Sequence, residues 1–155
     1  VFHRILVGVD GSLHAQRAAR EAGDLARALD AELTLLGAYL SVPPWPELGR
    51  AMLSQDAWDA YGAAARSEAQ SSVDAALAAV GTDVAVNTLV VDRRPVDAIL
   101  DEAARGGHDL VVVGSAGRGD VASVLLGSVS HRVVHECRVP VLVVRDAGDH
   151  ATAAA

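Results

Sequence analysis

Apolar residues in this chain arrive in blocks rather than in alternation. Four strand-length runs stand out, RILVGVD (4–10), AELTLLGAYL (31–40), DLVVVGS (109–115) and VPVLVVR (139–145), with a weaker fifth, VAVNTLVV (84–91), rich in valine and threonine. Continuous runs of this kind read as strands buried on both faces, the pattern of a parallel sheet covered by helices. Between them the period changes. Residues 13–29 set Ala15, Ala18, Ala19, Ala22, Leu25, Ala26 and Leu29 on one helical face, behind Ser12 as N-cap. Residues 56–80 are alanine-rich and stop at Gly81. RPVDAILDEAARGG (94–107) has Pro95 in its first turn and Gly106 and Gly107 past its end, and SVSHRVVHECR (128–138) supplies a last helix. Strand and helix thus alternate four times before a closing strand. Right-handed crossovers turn that order into a five-stranded, parallel, doubly wound α/β sheet.

Length and composition bound what this sheet serves. With 155 residues, 51% of them hydrophobic, the chain makes one domain, expected over 1–146, with a small polar tail at 147–155 that frays. SVPPWPELGRAML (41–53) holds three of the five prolines and is either a lid over a site or a surface loop. No apolar run approaches the roughly 18 residues of a membrane span, and VFHRILVGVD lacks the order of a signal peptide, so a cytoplasmic location is expected. The single cysteine, Cys137, reads as a small buried hydrophobe near a helix end in a reducing compartment. A net charge of −7 argues against nucleic acid or an anionic membrane as partner, and 3% aromatics leave few stacking platforms. All thirteen basic residues are arginine. Without lysine there is no Walker A lysine, no Schiff-base lysine and no receiver-domain lysine.

In open α/β sheets ligands bind at the carboxyl ends of the strands, where the chain order reverses. If the first strand is central, that crevice lies between VDGS (9–12) and GSAGRGDVASVLLGS (114–128), the most glycine-rich strand ends in the chain. Glycine lets the backbone approach a ligand, and successive amides aimed at one spot bind an anion without a cationic side chain. Gly127 and Ser128 stand where the last helix begins, so their amides, the helix dipole and the hydroxyls of Ser128 and Ser130 suit a phosphate. The same residues also make ordinary turns and caps.

Spacing separates the two readings. Gly114, Gly117 and Gly127–Ser128 fit G-x2-G-x9-G-[ST], which closely resembles the nucleotide-binding signature of the universal stress protein family, and ILVGVDGS, LLGSVS and PVLVV resemble the same family in the same order. The resemblance implies strand order 3-2-1-4-5 and ATP binding. It implies triphosphate and ribose contacts from Gly114, Gly117, Gly127, Ser128 and Ser130, with Ala116, Arg118 and Val129 in the same loop and helix start. It puts Gly8, Val9, Asp10, Ala38 and Val113 on the adenosine side. Asp10 either accepts a hydrogen bond from the ligand or caps the following helix. Some relatives carry histidine or arginine where this chain has Ala116; Arg118 either compensates or is simply solvated. Magnesium, if present, is held mainly by the phosphates.

Other chemistries have less to stand on. His131 and His135 lie four apart on one helix, but HRVVH lacks the glutamate of the zinc-protease pattern and no third ligand is evident, so no metal site is expected. GSAGRG follows the fourth strand rather than the first, where a dinucleotide fingerprint belongs, and no Gly-x-Ser-x-Gly elbow occurs. The resemblance implies a nucleotide-dependent stress-response module, and no base beside a nucleophile points instead to an enzyme. The alternatives are a slow ATP hydrolase or phosphotransferase using Asp10, and a binder of AMP or cyclic AMP. The last strand is an apolar sheet edge that needs covering, and the resemblance implies that it pairs with its copy in a homodimer through 139–145.

Overall fold

A computed structural model of the chain describes residues 1–42, 54–117 and 126–145. Arg118, most of the 41–53 excursion and the 147–155 tail lie outside the described residues. The elements are β1 (Arg4–Val9), α1 (Leu13–Leu29), β2 (Glu32–Tyr39), α2 (Gln55–Val80), β3 (Val86–Asp92), α3 (Pro95–Arg105), β4 (Leu110–Gly114), α4 (Ser128–Glu136) and β5 (Val141–Val144). All strand pairings are parallel, in the order β3-β2-β1-β4-β5.

Side-chain alternation along the central strands divides the core in two. Ile5, Val7 and Val9 of β1 point to the same side as Leu33 and Leu35 of β2, where Ala18, Ala22 and Ala26 of α1 and Val73 and Ala76 of α2 pack on them. Leu6, Leu36, Val111 and Val113 face the other side, against Ile99 of α3 and Val133 of α4. Ile5, Leu6, Leu33 and Leu35 have no exposed surface, each worth roughly 1.5–3 kcal/mol of burial. These runs cannot alternate apolar with polar, because both faces of the sheet are covered.

The helix ends follow local chemistry. Ser12 Oγ accepts from the amide of Ala15 at 3.1 Å, and Ser54 Oγ does the same for Ala57 at 3.3 Å. The second cap starts α2 one residue before the sequence pattern does. Pro95 opens α3, and Gly107, at φ 67, turns the chain after it. Two strands depart from expectation: β3 is Val86–Asp92 rather than 84–91, and β5 is Val141–Val144 rather than 139–145. Pro140 has no amide to give the ladder, although its carbonyl still accepts from Val111. Cys137 is half-buried against the α3/α4 core rather than enclosed. Among the described residues no helix is long and apolar enough to cross a membrane.

Candidate functional site

The carboxyl ends of β1, β2 and β4 open on the α3/α4 side into a cavity of about 170 Å³. Gly8, Val9 and Asp10 leave β1 into it, Ala38 lines it from β2, and Val113 and Gly114 end β4 beneath it. Ala116 and Gly117 follow, and Gly127, Ser128, Val129 and Ser130 close the ring. Every candidate residue named from the sequence thus meets around one cavity, apart from Arg118, which lies outside the described residues. Four lining residues were not foreseen: Ala15, Leu36, Pro95 and Ile99. Leu36 shares its face with Ala38 by the two-residue period of a strand, a usable signal. Pro95 and Ile99 carry none, because their presence depends on where α3 settles on the sheet.

Hydrogen bonds give the glycine loop a different internal logic from the one its sequence suggests. The Gly127 amide donates to the Ser115 carbonyl at 2.7 Å, closing the loop on itself, so this N–H is engaged within the protein. Gly127 is also the N-cap of α4 and offers no side chain to the helix start. The amides of Ser128, Val129 and Ser130 precede the first intrahelical bond, from His131 N–H to the Gly127 carbonyl at 2.8 Å. They are the helix-start donors free of intrahelical partners beside the cavity. The Ser130 hydroxyl donates to the Gly114 carbonyl at 2.5 Å and is buried, which ties the first turn of α4 to the end of β4. Its proton is committed there.

Gly114 is small for a packing reason: a Cβ there would lie 2.9 Å from the backbone carbon and oxygen of His14, so α1 starts hard against β4. Asp10 accepts from the Ser12 amide at 2.9 Å, which stabilises the β1–α1 turn around Gly11, at φ 82. The cap on α1 is Ser12, so Asp10 is the turn residue rather than the helix cap. Among the described lining residues Asp10 is the single ionisable group. Among the described lining residues there is no side-chain cation, and the positive potential there is that of backbone amides and the helix start.

At the end of β3 the Asp92 carboxylate accepts from the Ser41 amide at 2.9 Å, and these contacts with Ser41 hold Asp92 below the usual carboxylate range. His131 and His135 sit outside the cavity, exposed on α4, with ring centroids 4.6 Å apart.

A parallel sheet of order 3-2-1-4-5 with an apolar cleft and an uncapped helix start at its carboxyl edge defines an α/β protein of the doubly wound class. The chain belongs to the universal stress protein family, whose model matches residues 2–145. A universal stress protein of Thermus aquaticus is 37% identical over 145 residues, spanning 94% of this chain and 100% of the relative. One from Mycobacterium tuberculosis, 36% identical, is matched over 91% of this chain but 45% of its own length, so this chain spans about half of that longer protein. A solved universal stress protein in complex with cAMP is similar at TM-score 0.58 and 31% identity, over 92% of this chain and 96% of that one.

Proposed function

We propose that this protein binds an adenine nucleotide, ATP in the first place, at the carboxyl ends of β1 and β4, and that occupancy serves as its signal in a cytoplasmic stress response. The observation that carries the reading is Gly127: a cap without a side chain leaves the amides of Ser128, Val129 and Ser130 to a polyanion, beside an otherwise apolar cleft. Leu36, Ala38, Ile99 and Val113 offer the flat apolar contact a purine needs, and Asp10 is placed to accept a hydrogen bond from the nucleoside. With one carboxylate in the lining, Mg²⁺ would travel mainly on the phosphates. The chain has no P-loop lysine, and no water-orienting group is evident among the described residues, which favours binding over turnover, with any hydrolysis slow.

A second ligand has specific support, since the 31% identical relative was solved with cAMP. Calorimetry on nucleotide-stripped protein with ATP, AMP and cAMP in competition separates the two. ATP binding tightest supports the first reading, cAMP or AMP the second, and no heat from any adenylate at millimolar concentration overturns both. The edge strand β5, with Leu142 39% exposed, is the proposed homodimer seam. Val141→Asp should yield monomers in sedimentation; an unchanged dimer places the seam elsewhere.

A further inference from the structure

We propose that His131 and His135 form a two-imidazole site for a divalent ion of the zinc, nickel and copper class, on the exposed face of α4. The two residues are one helical turn apart, and their rings lie 4.6 Å between centroids at 50°. At that spacing the two exposed side chains can turn about their own torsions to offer one ring nitrogen each to a single ion at the usual bond length of about 2.0–2.1 Å. Both side chains are exposed, and among the described residues neither imidazole holds a hydrogen bond or an ion pair. The contrast is His108, which is buried with Nδ1 against the Glu102 carbonyl and Nε2 against the Thr34 hydroxyl, each at 3.1 Å. The neighbouring charges do not compete: Arg132 and Glu136 pair with each other at 2.9 and 3.2 Å.

Imidazole pairs suit zinc, copper and nickel, whereas Mg²⁺ and Ca²⁺ prefer oxygen donors, so this site ignores the ion that accompanies a nucleotide. No group of three or more metal-ligating side chains occurs among the described residues, which leaves the remaining coordination positions to water or an outside ligand. The missing glutamate and third ligand that argue against a zinc-protease centre are no objection here, because a two-donor site needs neither. A nine-residue helix is marginal on its own, and an ion bridging its first and second turns would brace it. The proposal is independent of nucleotide binding.

Zn²⁺ alone, titrated into the full-length protein while the histidine ring resonances are followed by NMR, tests it. One saturable event is expected, with His131 and His135 shifting together, reversal by EDTA and no response to Mg²⁺. His131→Ala and His135→Ala should each weaken binding roughly a hundredfold, because the second donor acts at high effective concentration only when the first is in place. Zn²⁺ should raise the thermal midpoint of the wild type and not of either variant. Rings that respond independently, Zn²⁺ that binds with His131 and His135 unmoved, or an affinity unchanged by His135→Ala would each overturn the site. Both positions are exposed, so the variants retain the fold, which circular dichroism checks.

Discussion

The two ends of the sheet are held by different means. At the amino end side chains do the fastening: Asp109 accepts from the amides of His3 and Arg4 at 2.8 and 3.0 Å, and His108 is locked between α3 and β2 with both ring nitrogens engaged. At the carboxyl end the carboxylates of Asp10 and Asp92 hold the turns that follow the strands, but the junction of β4 with α4 is fastened by main chain and hydroxyl, Gly127 to Ser115 and Ser130 to Gly114. Two of the four described helices, α1 and α2, begin on a serine that caps them; α3 and α4 begin without a side-chain cap, and both contribute to the cavity. One end is closed for stability, and the other leaves backbone donors available for a ligand.

Three substitutions put pressure on that division. His108→Ala should have the largest effect, about 2–4 kcal/mol of stability, since it opens a void in the core and strips the Thr34 hydroxyl of its partner. Chemical denaturation measures it, and nucleotide affinity in the folded fraction should be unchanged; a parallel loss of affinity would mean that the two ends are coupled. Gly127→Asp should do the reverse. Its φ of −65° suits any residue, and an aspartate N-cap with its charge at the helix start stabilises α4 by about 0.5–1 kcal/mol. The same carboxylate occupies the amides and repels phosphate, so calorimetry should find ATP binding weakened by roughly a hundredfold, or about 2.7 kcal/mol. Tight ATP binding in this variant would rule those amides out as the anion site.

The smallest effect belongs to Asp109→Asn and is read against pH. Burial opposes the charge of Asp109, but the amide hydrogen bonds of Arg4 and His3 outweigh it and hold the carboxyl below its ordinary range. A depressed folded value means the contribution is fully present above the unfolded carboxylate value of about 4 and is lost as pH falls through the folded value. Thermal midpoints of wild type and variant should therefore differ near neutrality and converge in acid. A constant gap down to low pH would show that the charge on Asp109 is not what anchors β1.

Much of the fold was legible because it rests on local rules. Continuous valine and leucine runs can only be two-sided strands, and Ser12, Pro95 and Gly107 mark helix limits by their own backbone chemistry. The misreadings came where a boundary depends on a neighbour. Val84 is apolar enough to extend β3 backwards, yet the pairing with β2 begins at Val86 opposite Leu33. In the candidate site, the spacing of Gly114, Gly117 and Gly127 located the right loop but not what each glycine does. The tight neighbour of Gly114 is the backbone of His14, 100 residues away in sequence, and the partner of the Gly127 amide is the carbonyl of Ser115. Neither contact can be derived from composition or periodicity, because both exist only once α1 and α4 have docked on the sheet.

The paired bonds from Gly127 to Ser115 and from Ser130 to Gly114 also make the span between them a module. With both feet of the loop fastened to each other, the entropy of closure varies only slowly with the number of residues enclosed, about 0.6 kcal/mol per doubling. Residues inserted, deleted or exchanged between those two feet would leave the junction of β4 and α4 in register, so the sequence there can be rewritten without rebuilding the floor of the cleft.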